Sequence, residues 1–357
     1  MEYLSKIIRK KTKKINLGGV PIGGDAPIAV QSMTNTNTSD VNATVAQVQE
    51  LEEIGCEIIR VAVPDQEAVD AIDEIIKRIN LPLIADIHFH YQLAIDAMKH
   101  GVAGIRINPG NIAREKIREI IKVAKERDVV IRIGVNAGSL QKDLVLEYGG
   151  VTAEALVASA LKNIELFEEE GFQNLKLSLK SSDVPIMIEA YRLIAEKTDY
   201  PLHLGVTEAG TLVDAAIKSA LGIGTLLYQG IGDTIRVSVT GNPALEIPIA
   251  YGILRSLKIR QVGPEIVSCP TCGRCQIDLL GLTGKIEKAL AGRKEYVKVA
   301  LMGCVVNGPG EAADADIGIA GGNGFGMMFK KGVAYKRVDE KDFVPVLLEE
   351  IKSLDNE

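Results

Sequence analysis

Short β-branched apolar runs alternate with helical patterns along most of the chain. The runs are predicted as eight strands, near residues 27–33, 58–63, 82–88, 104–108, 129–135, 174–180, 201–207 and 234–240. Most are followed by a segment with the 3.6-residue apolar period of a helix, for example 42–55, 66–79, 111–128, 152–171 and 210–230. Eight successive strand–helix units predict an α/β fold of the (β/α)8 TIM-barrel type.

The segments on either side of this repeat have a different pattern. Residues 14–24 predict a hairpin that closes the bottom of the barrel, and residues 259–264 predict a linker. Beyond the linker the sequence predicts a small α+β domain. Its expected elements are a helix near 283–292, a strand at 296–302, a hairpin turn in the glycine-rich stretch 318–332 and an amphipathic helix at 340–354. We therefore expect two domains, 1–258 and 259–357.

Polar residues recur on one face of the predicted barrel strands. Side chains alternate across a strand, and the helices of a barrel cover its outer, apolar face. In residues 175–180 the three leucines therefore face the helices, and Lys176, Ser178 and Lys180 point inward. The same reasoning places these further residues inside: Arg60, Asp86, His88, Arg106, Asn108, Arg132, Asn136, His203, Arg236 and Ser238.

This interior differs from that of an ordinary barrel, which is filled with branched apolar side chains. At least four arginines and two lysines point inward, and Asp86 and Glu208 do not neutralise them all. Burying each cation without an anionic partner would cost on the order of several kcal/mol. The pattern predicts a phosphorylated ligand, most economically a diphosphate, because guanidinium groups bind phosphate oxygens in pairs. For any one of these inward cations, the alternative explanation is a structural ion pair.

Three residues near the predicted strand ends are candidates for proton transfer. Asp86 and His88 belong to the third strand, and His88 lies at its C-terminal end, where barrel active sites form. Glu208 follows the seventh strand and either caps the next helix or takes part in proton transfer. The sequence does not choose among the three.

The cysteines indicate a metal or iron–sulfur site. Cys269 and Cys272 form a C-x2-C pair, and Cys304 lies in a later Gly/Pro-rich stretch that ends with Glu311. One possible ligand set is Cys269, Cys272, Cys304 and Glu311, in which the carboxylate binds iron weakly enough to give way to a substrate oxygen. Cys275 extends the pair to C-x2-C-x2-C, so a closed set of four cysteines is the other possibility. Spacing alone does not decide between them.

Composition narrows the class of protein. The net charge of −6 and the absence of a strongly basic half argue against a nucleic-acid-binding protein. No apolar run reaches the roughly 20 residues of a membrane span, and the N-terminus lacks the apolar segment of a signal peptide. We expect a cytoplasmic protein. In that reducing compartment, four clustered cysteines out of five favour metal binding over disulfides.

Several motifs together resemble the 4-hydroxy-3-methylbut-2-enyl diphosphate synthase (GcpE) family, in its shorter, two-domain bacterial form. They lie at residues 30–34, 104–111, 133–140, 205–210, 268–272 and 302–311. The resemblance covers nearly the whole chain. It implies a [4Fe–4S] cluster on Cys269, Cys272, Cys304 and Glu311, with Cys275 as a bystander that many relatives lack. It also implies a cluster domain similar to half of a sulfite or nitrite reductase.

The resemblance further implies an activity. The family opens the ring of 2-C-methyl-D-erythritol 2,4-cyclodiphosphate by two-electron reduction, with loss of water, and its electrons come from flavodoxin or ferredoxin. Its homodimer is head to tail, with one subunit's cluster closing the other's barrel. On this hypothesis the inward cations bind the diphosphate, Asn108, Asn136 and Ser238 position it, and Glu311 yields its iron to a substrate oxygen.

Two other functions remain open at this point. One is a lyase or transferase acting on a phosphorylated ligand, akin to pterin-binding barrels, with a structural zinc domain. The other is a non-catalytic electron-transfer or redox-sensing module, which the six inward cations speak against.

Overall fold

The fold was obtained as a computed structural model, which describes residues 7–88, 90–304, 310 and 313–355. The chain forms two compact units, with the division between Arg260 and Gln261. No helix in these described ranges is long and apolar enough to cross a membrane.

The first unit is a closed barrel of eight parallel strands, as predicted. The strands are β3 (Ala29–Met33), β4 (Ile58–Ala62), β5 (Leu83–Asp86), β6 (Gly104–Ile107), β7 (Val130–Asn136), β8 (Leu175–Lys180), β9 (His203–Leu204) and β10 (Thr234–Ile235). Consecutive strands from β3 to β8 pair with one another, and β9 pairs with β10. The ring closes because β10 pairs with β3, and a parallel bridge between Leu177 and Leu202 joins β8 to the segment of β9.

The last two strands are shorter than the sequence predicts. The eighth was expected over 234–240 but ends at Ile235. The backbone N–H of Arg236 still donates to the carbonyl of Leu204, at 3.0 Å. The N–H of Val239, in contrast, donates to the Glu246 side chain at 3.3 Å. Beyond the end of β10, a side-chain carboxylate therefore takes the place of a neighbouring strand as the hydrogen-bond partner of the backbone.

Helices surround the barrel. They are α1 (Val41–Glu53), α2 (Gln66–Asp70), α3 (Ile72–Lys77), α4 (Tyr91–Lys99), α5 (Arg114–Arg127), α6 (Lys142–Glu147), α7 (Ala153–Glu169), α8 (Val184–Lys197), α9 (Leu212–Tyr228) and α10 (Glu246–Ser256). Asp40, Thr152 and Asp183 cap α1, α7 and α8 by accepting a backbone N–H of the first turn. The helix predicted at 66–79 is divided into α2 and α3 at Ala71.

A hairpin closes the bottom of the barrel, which confirms the expectation for residues 14–24. Its strands are β1 (Ile15–Leu17) and β2 (Val20–Ile22), and the turn between them uses Gly18 and Gly19 at positive φ. The hairpin contributes to a buried apolar cluster that we call the barrel floor: Ile15, Leu17, Ile22, Ala29, Ile58, Ile84 and Val130. The last four begin barrel strands, so the bottom is sealed by apolar packing.

The second unit is a five-stranded mixed sheet with helices on one face. Its strands, in sheet order, are β11 (Pro264–Ser268), β12 (Val297–Met302), β13 (Ile317–Gly321), β14 (Phe325–Lys330) and β15 (Val333–Asp339). The first three are parallel and the last two antiparallel. The helices α11 (Leu279–Ala289) and α12 (Phe343–Leu354) share one core with the sheet, packing Ile286 and Leu347 against Val299 and Ile319.

Two elements of this unit differ from the sequence expectation. The helix predicted at 283–292 begins at Leu279, because the Asp278 side chain accepts the N–H of Gly281 and caps it. The stretch 318–332, expected to be a hairpin turn, supplies the strands β13 and β14 with a short turn between them. Gly318 is needed inside β13 because an added Cβ would lie 2.4 Å from the Phe329 ring.

Candidate active site

A polar cavity opens among the C-terminal ends of the barrel strands. Its volume is about 220 Å³, and we call it the anion cavity. Its lining residues are Arg60, Asp86, His88, Arg106, Arg132, Asn136, Ser178, Lys180, Thr207, Arg236 and Ser238. All of them were predicted to point inward except Thr207, which lies on the same face as His203 at the end of the strand predicted at 201–207 but was not singled out.

Asp86 organises the side of the cavity formed by β4, β5 and β6. Arg106 Nη1 lies 3.2 Å from one carboxylate oxygen, and Arg60 Nε and His88 Nε2 each lie 3.6 Å from the other. Burial alone would raise the pKa of the Asp86 carboxyl, but Arg60, His88 and Arg106 lower it below its ordinary value. Asp86 therefore stays ionised and orients two guanidinium groups.

His88 lies at the rim of the cavity. Its side chain is about half exposed, and Arg106 Nη1 approaches its ring nitrogens at 3.1 and 3.2 Å. Asn136 also contacts Arg106. With the Asn136 amide turned so that both of its polar atoms are satisfied, its oxygen accepts from Arg106 Nη2 at 2.9 Å and its nitrogen donates to the Val135 carbonyl at 3.2 Å. These contacts hold Arg106 from several directions.

Arg236 is held by a residue that the sequence pattern did not reveal. Glu246, the first residue of α10, is buried, and its carboxylate lies 3.2 Å from Arg236 Nη2. The same carboxylate accepts a hydrogen bond of 2.8 Å from the Ser32 hydroxyl. An acid in the first turn of a helix is ordinarily explained by the helix dipole, so the sequence carried no signal for this second role.

Met33 is a second residue missed by the sequence pattern. Its sulfur accepts from Arg60 Nε at 3.1 Å and from Arg60 Nη2 at 2.9 Å. Arg236 Nη1 lies 3.9 Å from the same sulfur. The thioether therefore lies between two cations of the cavity and contributes no compensating charge.

The cavity holds more positive charge than its acids balance. Arg132 and Lys180 are buried, and the Nε and Nη1 atoms of Arg132 have no hydrogen-bond partner among the described residues. Burial, followed by the charge of Arg132, lowers the pKa of Lys180 well below its ordinary value. Burial, with Arg60 and Arg106, acts in the same direction on the pKa of Arg132. An anionic ligand would reverse these shifts.

Two glycines leave room for these cations. A Cβ on Gly134 would lie 2.5 Å from Arg106 Nε, and a Cβ on Gly205 would lie 2.7 Å from Lys180 Nζ. Both glycines belong to the motifs noted in the sequence, at 133–140 and 205–210. The glycines are therefore part of the site, because they allow the two cationic side chains to pass close to the backbone.

The remaining predicted site residues lie elsewhere. Asn108 is buried and donates to the Ser139 hydroxyl at 3.3 Å, so it supports the loop after β7. Lys176 and His203 are fully buried and do not line the anion cavity. Glu208 is exposed in the loop after β9, with a left-handed backbone at φ 53°.

The cysteines gather at one end of the sheet in the second unit. β11 and β12 are adjacent and parallel, with Ser268 opposite Leu301, so the segments that follow them begin side by side. Cys269 comes directly after β11, and Cys304 follows β12 after Gly303. The Gly303 N–H donates to Cys269 Sγ at 3.3 Å, which joins the two cysteine segments. Cys272 is exposed, and its carbonyl accepts the N–H of Cys275 at 2.9 Å.

Cys275 packs closely within this group. Its sulfur lies 3.3 Å from the Ile277 carbonyl, and a Cβ on Gly303 would lie 2.5 Å from that sulfur. It also contacts the apolar core beneath the helices. Glu311, the fourth expected ligand, lies outside the described residues.

The positions and the ligand type of the cysteines are compatible with a cluster of several iron atoms. Within the described part of the chain, no three His, Cys, Asp or Glu side chains converge on the point that a single metal ion would occupy. A four-iron cluster binds each ligand at a separate iron, so its ligands need not converge on one point. Thiolates are its usual ligands, and a backbone N–H directed at a sulfur, as from Gly303 to Cys269, is among the contacts that tune it.

The chain combines a (β/α)8 barrel, with a cation-lined cavity at its strand ends, and a small cysteine-bearing unit. This places it among barrel enzymes that carry an additional cysteine-bearing domain. The model of the GcpE TIM-barrel domain matches residues 12–251, and that of the GcpE protein C-terminal domain matches residues 265–353. The chain belongs to the GcpE family.

Curated relatives match over almost their full length. The chain is 57% identical to the 4-hydroxy-3-methylbut-2-en-1-yl diphosphate synthase (flavodoxin) of Caldanaerobacter subterraneus, over 97% of this chain and 98% of that protein. It is 56% identical to the enzyme of the same name from Clostridium tetani, over 97% of this chain and 99% of that protein. Both names pair the synthase activity with flavodoxin, an electron carrier, and the chain is an oxidoreductase of this kind.

Solved structures show a more distant likeness. Dihydropteroate synthase from Stenotrophomonas maltophilia has a TM-score of 0.51 at 14% identity, covering 69% of this chain and 97% of that chain. The enzyme from Xanthomonas albilineans has a TM-score of 0.50 at 15% identity, covering 69% of this chain and 98% of that chain. At this identity the likeness shows the fold alone, so it does not favour the pterin-type alternative.

Proposed function

We propose that this chain opens the ring of 2-C-methyl-D-erythritol 2,4-cyclodiphosphate by two-electron reduction, giving 4-hydroxy-3-methylbut-2-enyl diphosphate and water. This is a step of non-mevalonate isoprenoid biosynthesis. The observation that carries the proposal is the anion cavity, because its cations outnumber its acids and would suit a diphosphate ligand. The membership of the chain in the GcpE family agrees with such a ligand. The names of the curated relatives support the same reaction.

The cations of the cavity bind the diphosphate. Arg60 and Arg106, oriented by Asp86, and Arg236, oriented by Glu246, present guanidinium groups whose direction is already set. Setting the direction in advance lowers the entropy lost on binding. Arg132 and Lys180 complete the positive charge, and the neutral donors Asn136, Ser178, Thr207 and Ser238 orient the ligand. Asn108 positions it indirectly, through the loop that contains Ser139.

Of the three candidates for proton transfer, Asp86 is the least suited. Its lowered pKa keeps it ionised, and its oxygens are engaged with two guanidinium groups. His88 lies at the rim with a half-exposed ring, and Glu208 is exposed in the loop after β9. The proton required for loss of water therefore comes from His88 or Glu208.

We further propose that Cys269, Cys272, Cys304 and Glu311 hold a [4Fe–4S] cluster, which supplies electrons one at a time when bound. The chain's own contribution is to fix the sulfurs, since Gly303 donates its N–H to Cys269 and the parallel strands bring two ligand segments together. Cys275 stays outside this set, as the family resemblance implies, and its Sγ lies 3.3 Å from the Ile277 carbonyl oxygen.

The electron donor is flavodoxin, the carrier that the curated relatives have in their names, with ferredoxin as the other candidate. Either carrier transfers electrons singly, as a cluster requires. We assign the chain to the cytoplasm because such donors and free thiols belong to a reducing compartment.

We propose that two copies of the chain form a homodimer, head to tail as the family resemblance implies. An exposed apolar stripe on α9 supports this, with Val213, Ile217 and Leu221 at four-residue spacing and Tyr228 beyond them. Beside it, α9 and α10 border an apolar groove of about 590 Å³. Contiguous apolar surface of this kind marks an association site, and a second copy would cover it.

The proposed function is tested with anaerobically prepared full-length protein, the cyclodiphosphate and reduced flavodoxin. We expect formation of the linear hydroxylated diphosphate, and an EPR signal of the dithionite-reduced protein that changes when the cyclodiphosphate is added. Zinc in place of iron, or an iron signal indifferent to the cyclodiphosphate with no product, would support the zinc-domain or electron-carrier alternatives instead.

A further inference from the structure

Lys176 is a buried amine that the diphosphate site does not use. It lies on β8 below Ser178 and Lys180, which line the anion cavity. Its relative exposure is 0%, and its Nζ has no hydrogen-bond partner among the described residues. The barrel floor seals the space below. A protonated lysine in this position would have neither water nor a bonded partner.

Two neutral polar side chains share this level of the barrel. On β3, Ala29 packs in the barrel floor and Met33 contacts Arg60, so by alternation Gln31 faces inward between them. Both amide atoms of Gln31 lack partners within the described ranges, as does Nε2 of His203. His203 Nδ1 is paired with the Thr234 hydroxyl at 2.8 Å. We call Gln31, Lys176 and His203 the lower polar layer.

The charges that face Lys176 are mostly positive. Arg132 on β7 and Arg60 on β4 act on it from above, and Lys180 lies further along its own strand. His203 on β9 is affected by the charge of Lys176 in turn. Asp233 is the acid that favours the charged amine. Its carboxylate, however, is already held by Arg9 at 3.2 Å, Thr12 at 2.9 Å and the N–H of Leu202 at 2.9 Å.

We propose that Lys176 is a proton-binding site coupled to the anion cavity, so that binding of a diphosphate draws a proton from solution onto its amine. This rests on the proposed function, since it takes a diphosphate as the ligand. The charges of Arg132 and Arg60 oppose protonation of Lys176. A diphosphate in the anion cavity brings two or more negative charges above this layer, and these offset the two positive charges. The lower polar layer then offers the ammonium group the unpartnered atoms of Gln31 and His203.

The pKa of Lys176 in the ligand-free barrel agrees with this direction. Burial, followed by Arg132 and Arg60, lowers it well below its ordinary value. The diphosphate raises it again, so the bound state holds more protons than the free state. Affinity is therefore highest at pH values below the ligand-free pKa and falls as the pH rises towards the pKa of the bound state.

Isothermal titration of the full-length protein with the cyclodiphosphate measures this uptake directly. The titration is run at one pH in buffers with different heats of protonation, on the wild type and on Lys176→Met. We expect proton uptake by the wild type, uptake lower by up to one proton in Lys176→Met, and weaker binding by that variant. At a pH between the ligand-free and ligand-bound pKa values of Lys176, the weakening should be about tenfold for each unit by which the bound-state pKa exceeds the working pH. Lys197→Met, an exposed lysine at the end of α8, serves as the control.

Equal proton uptake by the wild type and Lys176→Met would overturn the inference. Lys180 and His203 are present in both proteins, so the difference isolates Lys176. Thermal unfolding verifies that the variant folds, and Lys176→Gln, which keeps a polar group in the layer, provides the same comparison. Failure of the cyclodiphosphate to bind would contradict the proposed function separately, and inorganic pyrophosphate would then be the anion for the same measurement.

Discussion

The buried carboxylate of Glu246 lies 3.2 Å from the guanidinium of Arg236 and accepts the hydroxyl of Ser32 at 2.8 Å. The last barrel helix is thereby connected to the wall of the anion cavity. Without Glu246, the Arg236 guanidinium would keep, among the described residues, only a distant contact with the Met33 sulfur, at 3.9 Å.

Replacing Glu246 with Gln is expected to weaken cyclodiphosphate binding by about tenfold, because Arg236 loses a charge-assisted hydrogen bond of about 1.5 kcal/mol that fixes its direction. Gln keeps the side-chain length and an acceptor for Ser32. Glu57→Gln is the control, since Glu57 pairs with Arg260 instead and does not line the cavity. Equal dissociation constants for the two variants, measured by calorimetry, would show that Glu246 does not position Arg236.

Replacing Arg132 with Met is expected to weaken cyclodiphosphate binding at least tenfold while leaving the cluster spectrum intact. The thermal midpoint should not fall, because the change removes a buried cation whose Nε and Nη1 lack partners among the described residues. Arg127→Met, at the exposed end of α5, is the matched control. Normal binding by Arg132→Met would refute the assignment of the cavity to the diphosphate.

Replacing Gly134 with Ala is expected to reduce cyclodiphosphate affinity, again by about tenfold, because the new methyl group would lie 2.5 Å from Arg106 Nε and displace that guanidinium. Gly138→Ala adds the same methyl group where nothing lies within 4 Å. Titration of both variants distinguishes a local steric effect from a general effect of stiffening this segment. Equal affinities would mean that Arg106 can shift without consequence.

Replacing Cys275 with Ser is expected to leave the iron content of the anaerobically prepared protein unchanged, since Cys275 is outside the proposed ligand set. Cys272→Ser should lose most of its iron. Iron analysis with the EPR spectrum of the reduced protein measures both. Loss of iron from Cys275→Ser would favour a closed set of four cysteines over one that includes Glu311.

Replacing Leu221 with Asp is expected to convert the proposed dimer into a monomer, because it places a charge in the centre of the apolar stripe on α9. Leu146→Asp alters a similarly exposed leucine on α6 and should remain dimeric. Light scattering coupled to size exclusion measures the mass of each. A Leu221→Asp dimer would place the contact between copies elsewhere.

Much of the site was predictable because strand alternation has a period of two residues. Once residues 175–180 were assigned to a strand with its leucines outward, Lys176, Ser178 and Lys180 were necessarily on the inner face. The same period identified ten of the eleven residues that line the anion cavity. Thr207, on the same face as His203 in the predicted strand 201–207, and Met33 were missed because neither side chain carries a charge that would mark it.

The sequence by itself determined the repeat of strands and helices, the inward direction of the cations and the cysteine motifs, because each depends on neighbouring residues. Only the tertiary structure decided that Lys180 reaches the anion cavity while Lys176, four residues earlier, lies sealed beneath it. It also decided that Glu246 holds Arg236, across ten residues of chain. Such relationships depend on how strands and helices pack around the barrel, and the local period of the sequence does not contain that information.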